Sequence, residues 1–237
     1  KYYFDMRLIV SKPELLKKIG DALYKLMGDF DIICGIPYGA LPVATYISVA
    51  YNKPMIYTRD KPKNYGMRNQ IEGKYKNTDR CVLLDDVITS GGSMKSAFDI
   101  LKDNVNVVKC IVILDRQQNN MCELPVQSLF TKTDIVKYRL NKIRKDKQSK
   151  LCFSADLIEF PKLWDIIDRI GDRIVICKIH YDIVPEKYRE EFKIIMIDKS
   201  IKHNFLIMED RKFNDISYIV QKQYKLFENW VDLVTVH

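Results

Sequence analysis

The strongest limit on how this chain can fold is its rhythm: short, almost wholly apolar runs alternate with segments of helical period. Asp31–Ile36, Lys53–Thr58, Cys81–Asp85 and Val107–Asp115 are dominated by aliphatic and β-branched residues. A first helix opens at Pro13-Glu14 and places Leu15, Leu16, Ile19, Leu23 and Leu26 on one face, with Ser11 as a nearby cap and Gly28 as its stop. Further helices are predicted over Ala40–Tyr51 and Gly92–Leu101. Strands that are apolar on both faces and separated by helices predict an α/β fold whose parallel sheet carries helices on both faces. The later part of the chain repeats the rhythm. Leu151–Asp156, Ile174–His180, Asn204–Asp210 and Val231–His237 read as strands, with helices around Phe160–Ile170, Glu186–Lys199 and Ile216–Phe227. Strict strand–helix succession suits a (β/α) barrel, although four strands cannot close one of eight.

Composition narrows the class. With 30% charged and 47% apolar residues over 237 positions, the chain is neither a disordered tail nor a fibre nor a disulfide scaffold. No run approaches the ~20 apolar residues that span a bilayer, so no membrane partner is expected. The chain opens at Lys1 without a signal-like apolar segment, and a cytoplasmic protein is expected. Six cysteines lie tens of residues apart without a C-x-x-C pair, the pattern of buried free thiols rather than a metal site. The net charge is +8, but Lys137, Arg139, Lys142, Arg144, Lys145, Lys147 and Lys150 against the single acid Asp146 account for +6 of it. The excess therefore reads as a solvated connector over residues 136–150, not as a nucleic-acid face. It separates a first domain, residues 1–135, from a second, residues 151–237.

Chemistry concentrates first in the string from Val82 to Ser93, where an apolar strand ends in Asp85-Asp86 and passes through Thr89-Ser90-Gly91-Gly92-Ser93 into a helix. Successive backbone N–H groups at a helix N-terminus favour a phosphate. The glycines permit close approach, the hydroxyls of Thr89, Ser90 and Ser93 add donors, and the two carboxylates suit the vicinal hydroxyls of a sugar. Phosphate plus diol describes a ribose 5-phosphate. The plain alternative is a strand–turn–helix with a capping serine and two surface acids.

This string resembles the phosphoribosyl-pyrophosphate (PRPP) motif of type I phosphoribosyltransferases. Cys34–Pro42, Arg59–Gly66 and Leu114–Gln117 follow the order found in orotate phosphoribosyltransferases. By that resemblance Asp85, Asp86, Thr89, Ser90, Gly91, Gly92 and Ser93 bind PRPP, and the Pro37–Gly39 turn, with Tyr38, meets pyrophosphate. Arg59, Lys63 and Tyr65 lie on a loop that closes over the substrate, Lys63 taking a catalytic part, and Arg116 holds the carboxylate of orotate. Asp60 stands where the family usually has lysine. The implied reaction is attack of an orotate nitrogen on the anomeric carbon as pyrophosphate leaves, with Mg²⁺ carried by PRPP.

The second concentration is Asp210-Arg211-Lys212-Phe213-Asn214-Asp215, after a buried-type strand. Alone it reads as exposed ion pairing. However, Leu151–Asp156 and Cys177–Asp182 also put polar residues at strand C-termini, the catalytic face of a barrel. Together the three strings resemble orotidine 5′-phosphate decarboxylase. The resemblance implies a tetrad of Lys178, Asp210, Lys212 and Asp215, pyrimidine and ribose contacts from Ser154 and Asp156, and a homodimer in which Asp215 reaches the partner's site.

A transferase followed by a decarboxylase is the order of the bifunctional UMP synthase family. The expected substrates are PRPP, orotate and orotidine 5′-phosphate. With only four barrel strands, this polypeptide alone is expected to be inactive as a decarboxylase. Two other readings stay open: a truncated, non-catalytic relative that binds PRPP or a partner subunit, and a purine-specific phosphoribosyltransferase.

Overall fold

A computed structural model describes residues 4, 6–59, 70–118, 124–157 and 159–236. Contacts divide the chain into two compact units, Phe4–Asp134 and Ile135–His237. In the first unit the elements run α1 (Pro13–Met27), β1 (Ile32–Gly35), α2 (Leu41–Ala50), β2 (Met55–Thr58), β3 (Ile71–Glu72), β4 (Arg80–Ile88), α3 (Gly92–Leu101), β5 (Asn106–Asp115) and β6 (Val126–Thr131). α4 (Lys132–Asp146) leads into the second unit, which continues as β7 (Leu151–Ser154), α5 (Phe160–Ile170), β8 (Ile174–Ile179), α6 (Arg189–Lys202), β9 (Leu206–Phe213), α7 (Ser217–Tyr224) and β10 (Leu233–Val236).

The first sheet has the order β3-β2-β1-β4-β5-β6. Its central strands are parallel and buried on both faces. Ile33, Val82, Leu84 and Ile111 pack under α1 and α2, while Cys34, Leu83, Cys110 and Val112 pack under α3. The expectation of a wholly parallel sheet needs one correction, because β3 pairs antiparallel with β2 through Tyr57↔Glu72 and Thr58↔Ile71. Two residues at a sheet edge give no apolar run, so nothing in the periodicity announced them. The ordering also sets where a ligand can bind. β1 is followed by β2 on one side and β4 by β5 on the other, so the loops leaving β1 and β4 diverge and open a crevice at the strand C-termini.

The second sheet, β10-β9-β8-β7, is parallel throughout. Side chains alternate across it. Cys177 and Ile207 join the aromatic core beneath α5 and α6 with Phe192, Phe205 and Phe227, whereas their neighbours Ile176 and Leu206 meet α4. Lys178 and Asp210 continue that second face. The basic stretch is therefore not a solvated linker. Its α4 portion buries Val136 and Ile143 against Val175 and Leu206, and Lys147 Nζ donates to the carbonyls of Gly171, Ile174 and His203 at 2.8, 2.8 and 2.5 Å. Three strand- and helix-end carbonyls left bare by the packing require such a donor. No helix among the described residues is long and apolar enough to cross a membrane.

Candidate active site

The crevice of the first unit is built where β4 passes into α3. Gly91 takes φ +78°, a left-handed conformation that glycine adopts without cost, and turns the chain into the helix. No side chain caps α3, so the N–H groups of its first turn face a cavity of about 140 Å³ lined by Asp85 and residues 87–94. Thr89, Ser90, Gly91, Gly92 and Ser93 thus surround one space, as the phosphate reading requires. An alanine side chain at Gly92 would meet nothing closer than Ser90 Oγ at 4.0 Å, which leaves the approach to the backbone open.

Asp85 is buried, and desolvation pushes its carboxyl up to about 7 although it accepts the Asp86 N–H at 2.8 Å. Asp86 accepts the Val87 N–H at 2.8 Å. The Pro37–Gly39 turn crosses this second carboxylate so closely that a Cβ on Gly39 would lie 2.0 Å from Asp86 Oδ2. Tyr38, at the tip of that turn, is 86% exposed. Arg116 follows β5 and its N–H donates to Ile88 O at 3.1 Å, which anchors it beside the same crevice. Its Nε is buried without a hydrogen-bond partner among the described residues. A buried guanidinium nitrogen with no acceptor is the condition an anionic ligand would relieve. Arg59, the residue after β2, lies 2.8 Å from Glu72 Oε1 through its Nε. Asp60, Lys63 and Tyr65 fall outside the described residues.

The second unit assembles its charges at strand C-termini. Asp210 Oδ2 lies 2.9 Å from both Lys178 Nζ and Lys212 Nζ, and Asp210 Oδ1 accepts the Thr235 hydroxyl at 2.9 Å. The two ammonium groups hold the Asp210 carboxyl well below the usual range, and that carboxylate in turn raises the Lys178 ammonium. Asp156 Oδ2 stands 3.9 Å from Lys178 Nζ, and Ser154 is the β-ladder neighbour of Lys178. Asp215 stands apart, its carboxylate accepting the adjacent Ile216 N–H at 2.8 Å.

Two neighbours were not singled out in the sequence. His180 Nε2 is 3.3 Å from Lys178 Nζ and 3.4 Å from Asp210 Oδ2. Thr235 also accepts the Lys212 N–H at 2.9 Å, where Lys212 takes φ +55°. Strand alternation from Lys178 points to His180, but a threonine between two valines carries no such signal.

Comparison with known proteins matches a family to each half of the chain. The phosphoribosyl transferase domain family matches residues 8–137, over half the chain. The chain belongs to the phosphoribosyl transferase family. An orotate phosphoribosyltransferase from Chlamydia felis is 35% identical over 59% of this chain and 73% of that protein. The solved orotate phosphoribosyltransferase of Aeropyrum pernix superposes with a TM-score of 0.52 at 26% identity, covering 57% of this chain and 82% of that one. Residues 149–237 match the orotidine 5′-phosphate decarboxylase / HUMPS family. Uridine 5′-monophosphate synthase from Bos taurus is 29% identical over 99% of this chain and 64% of its own length. The phosphoribosyl transferase module and the decarboxylase-type module therefore follow one another as in the bifunctional UMP synthases, and the chain spans less than two thirds of that relative.

Proposed function

We propose that the first unit transfers the phosphoribosyl group of PRPP to orotate, and that the second contributes half of an orotidine 5′-phosphate decarboxylase barrel to the complete protein. The reading rests chiefly on the β4–α3 crevice: an uncapped helix N-terminus, its hydroxyls and the carboxylate of Asp85 line one cavity, Asp86 meets the Pro37–Gly39 turn, and the Nε of Arg116 is buried without a hydrogen-bond partner among the described residues. The helix N-terminus with its hydroxyls takes the 5-phosphate, Asp85 and Asp86 the ribose hydroxyls, and Arg116 the orotate carboxylate. Arg59, Lys63 and Tyr65 then oppose the charge that develops on departing pyrophosphate. Asp85 and Asp86 offer hard oxygen donors, which fit a Mg²⁺ ion brought by PRPP, and that ion would offset the leaving group's charge.

In the second unit, Asp210 organises Lys178 and Lys212 around the position of the substrate carboxylate, and Lys212 delivers the proton to the ring carbon. Asp215 stands outside this cluster and serves the site of a second copy, so we propose a homodimer. Five free cysteines among the described residues suit a reducing compartment, and we place the protein in the cytoplasm. Asp60, where the family usually has lysine, is the feature that favours a purely binding role, and it is outweighed by the intact Asp85–Ser93 string. The test is an assay of pyrophosphate release from PRPP and orotate. We expect turnover by the parent chain and loss of orotate dependence in Arg116→Ala. An orotate-independent rate that Arg116→Ala leaves unchanged would overturn the assignment.

A further inference from the structure

We propose that Gln117, through Thr133, is the positioning residue that aims Arg116 at the acceptor substrate. The inference rests on the transferase reading above and adds a residue to that site. Gln117 takes φ +57°, a left-handed conformation that a side-chain-bearing residue rarely adopts and that persists only where its surroundings hold it.

Three hydrogen bonds do so. The Gln117 N–H donates to Asp115 Oδ1 at 2.6 Å. Gln117 Oε1 accepts both the N–H of Thr133, at 2.9 Å, and its hydroxyl, at 2.5 Å. Thr133 is itself fixed in the first turn of α4, where Asp134 accepts the N–H and hydroxyl of Thr131 at 2.9 and 2.6 Å. The residue before Arg116 and the residue after it are thereby tied together and to a helix, while the Arg116 N–H is tied to β4.

Nothing in this clasp touches the arginine's Nε, which is buried without a hydrogen-bond partner among the described residues. The backbone on both sides of Arg116 is over-determined while its Nε has no hydrogen-bond partner among the described residues, and this is how a scaffold preorganises a cation for a ligand. The clasp lies at the end of β5, and its three hydrogen bonds join Asp115, Gln117 and Thr133, none of which belongs to the Thr89–Ser93 turn. Its loss should therefore weaken the acceptor substrate and spare PRPP.

The experiment measures separate KM values for orotate and PRPP in the parent chain, Gln117→Ala, Thr133→Val and Thr133→Ser. Gln117→Ala removes the acceptor of two hydrogen bonds, and we expect a rise of about tenfold in orotate KM with PRPP KM and kcat within about twofold. Thr133→Val keeps one of the two bonds and should fall between. Thr133→Ser keeps both and should match the parent. Equal changes in both KM values, no change in either, or failure of serine to restore what valine loses would overturn the inference. A parent chain without transferase activity would overturn both this inference and the function on which it rests.

Discussion

Gly39→Ala is the most discriminating single change in the first unit. The added Cβ would sit 2.0 Å from Asp86 Oδ2, 2.4 Å from Cγ and 2.9 Å from Oδ1, so the whole carboxylate lies in its path. Ordinary contact begins near 3.4 Å, and the carboxylate must retreat by roughly 1.4 Å. That retreat breaks the hydrogen bond from the Val87 N–H, a loss of about 1 kcal/mol that a folded domain tolerates. Function is far more sensitive, because displacing a substrate-holding group by about 1 Å costs on the order of 100-fold. The expected outcome is a fall of about 100-fold in kcat/KM for PRPP, with the thermal midpoint lowered by only a few degrees. Steady-state pyrophosphate release and a melting curve on the same preparation measure both. A variant as active as the parent would refute the claim that Asp86 and the Pro37–Gly39 turn work as one site.

Burial that raises Asp85 to about 7 makes the folded chain hold a proton that the unfolded chain releases near 4. Stability contributed by this group is therefore lost as pH rises between about 4 and 7. Glu209, buried and also raised to about 7, tilts the profile the same way, so Asp85→Asn should flatten only part of it in chemical denaturation run across that range. An unchanged slope would contradict the burial argument. Lys147→Met strips one donor from three carbonyls and should lower the unfolding free energy by about 2–4 kcal/mol, against almost nothing for the exposed neighbour Lys145→Met. Ile143→Ala should cost about 2–4 kcal/mol, since Ile143 is 1% exposed beside Val175 and Leu206. Equal stability of either variant with the parent would return α4 to the status of a solvated linker.

The parallel strands were legible because each is a run of apolar residues buried on two faces, as Val82–Leu84 and Ile111–Leu114 are. The β4–α3 turn was legible because its chemistry is local, with every contributing residue within one loop. What escaped the sequence is what depends on distant pairing. β3 is two residues at an edge, and its only reason to be a strand is β2. The α4 stretch is rich in charge, which hid the few apolar positions, Val136, Leu140 and Ile143, that meet the second sheet. Lys147 looks like any other lysine of that run, although its ammonium is consumed by three carbonyls. Thr235 joins Asp210 across 25 positions of chain, and Thr133 joins Gln117 across 16. Neither link has a spacing rule that would announce it.

The central claim is that the β4–α3 crevice holds PRPP, and calorimetric titration of the intact chain with PRPP and Mg²⁺ tests it most directly. The account predicts one binding event per chain for the parent and its abolition in the Asp85→Asn/Asp86→Asn double variant, with the variant's far-ultraviolet circular dichroism unchanged. Binding that survives the double substitution, or a parent that gives no heat at any PRPP concentration, would contradict it.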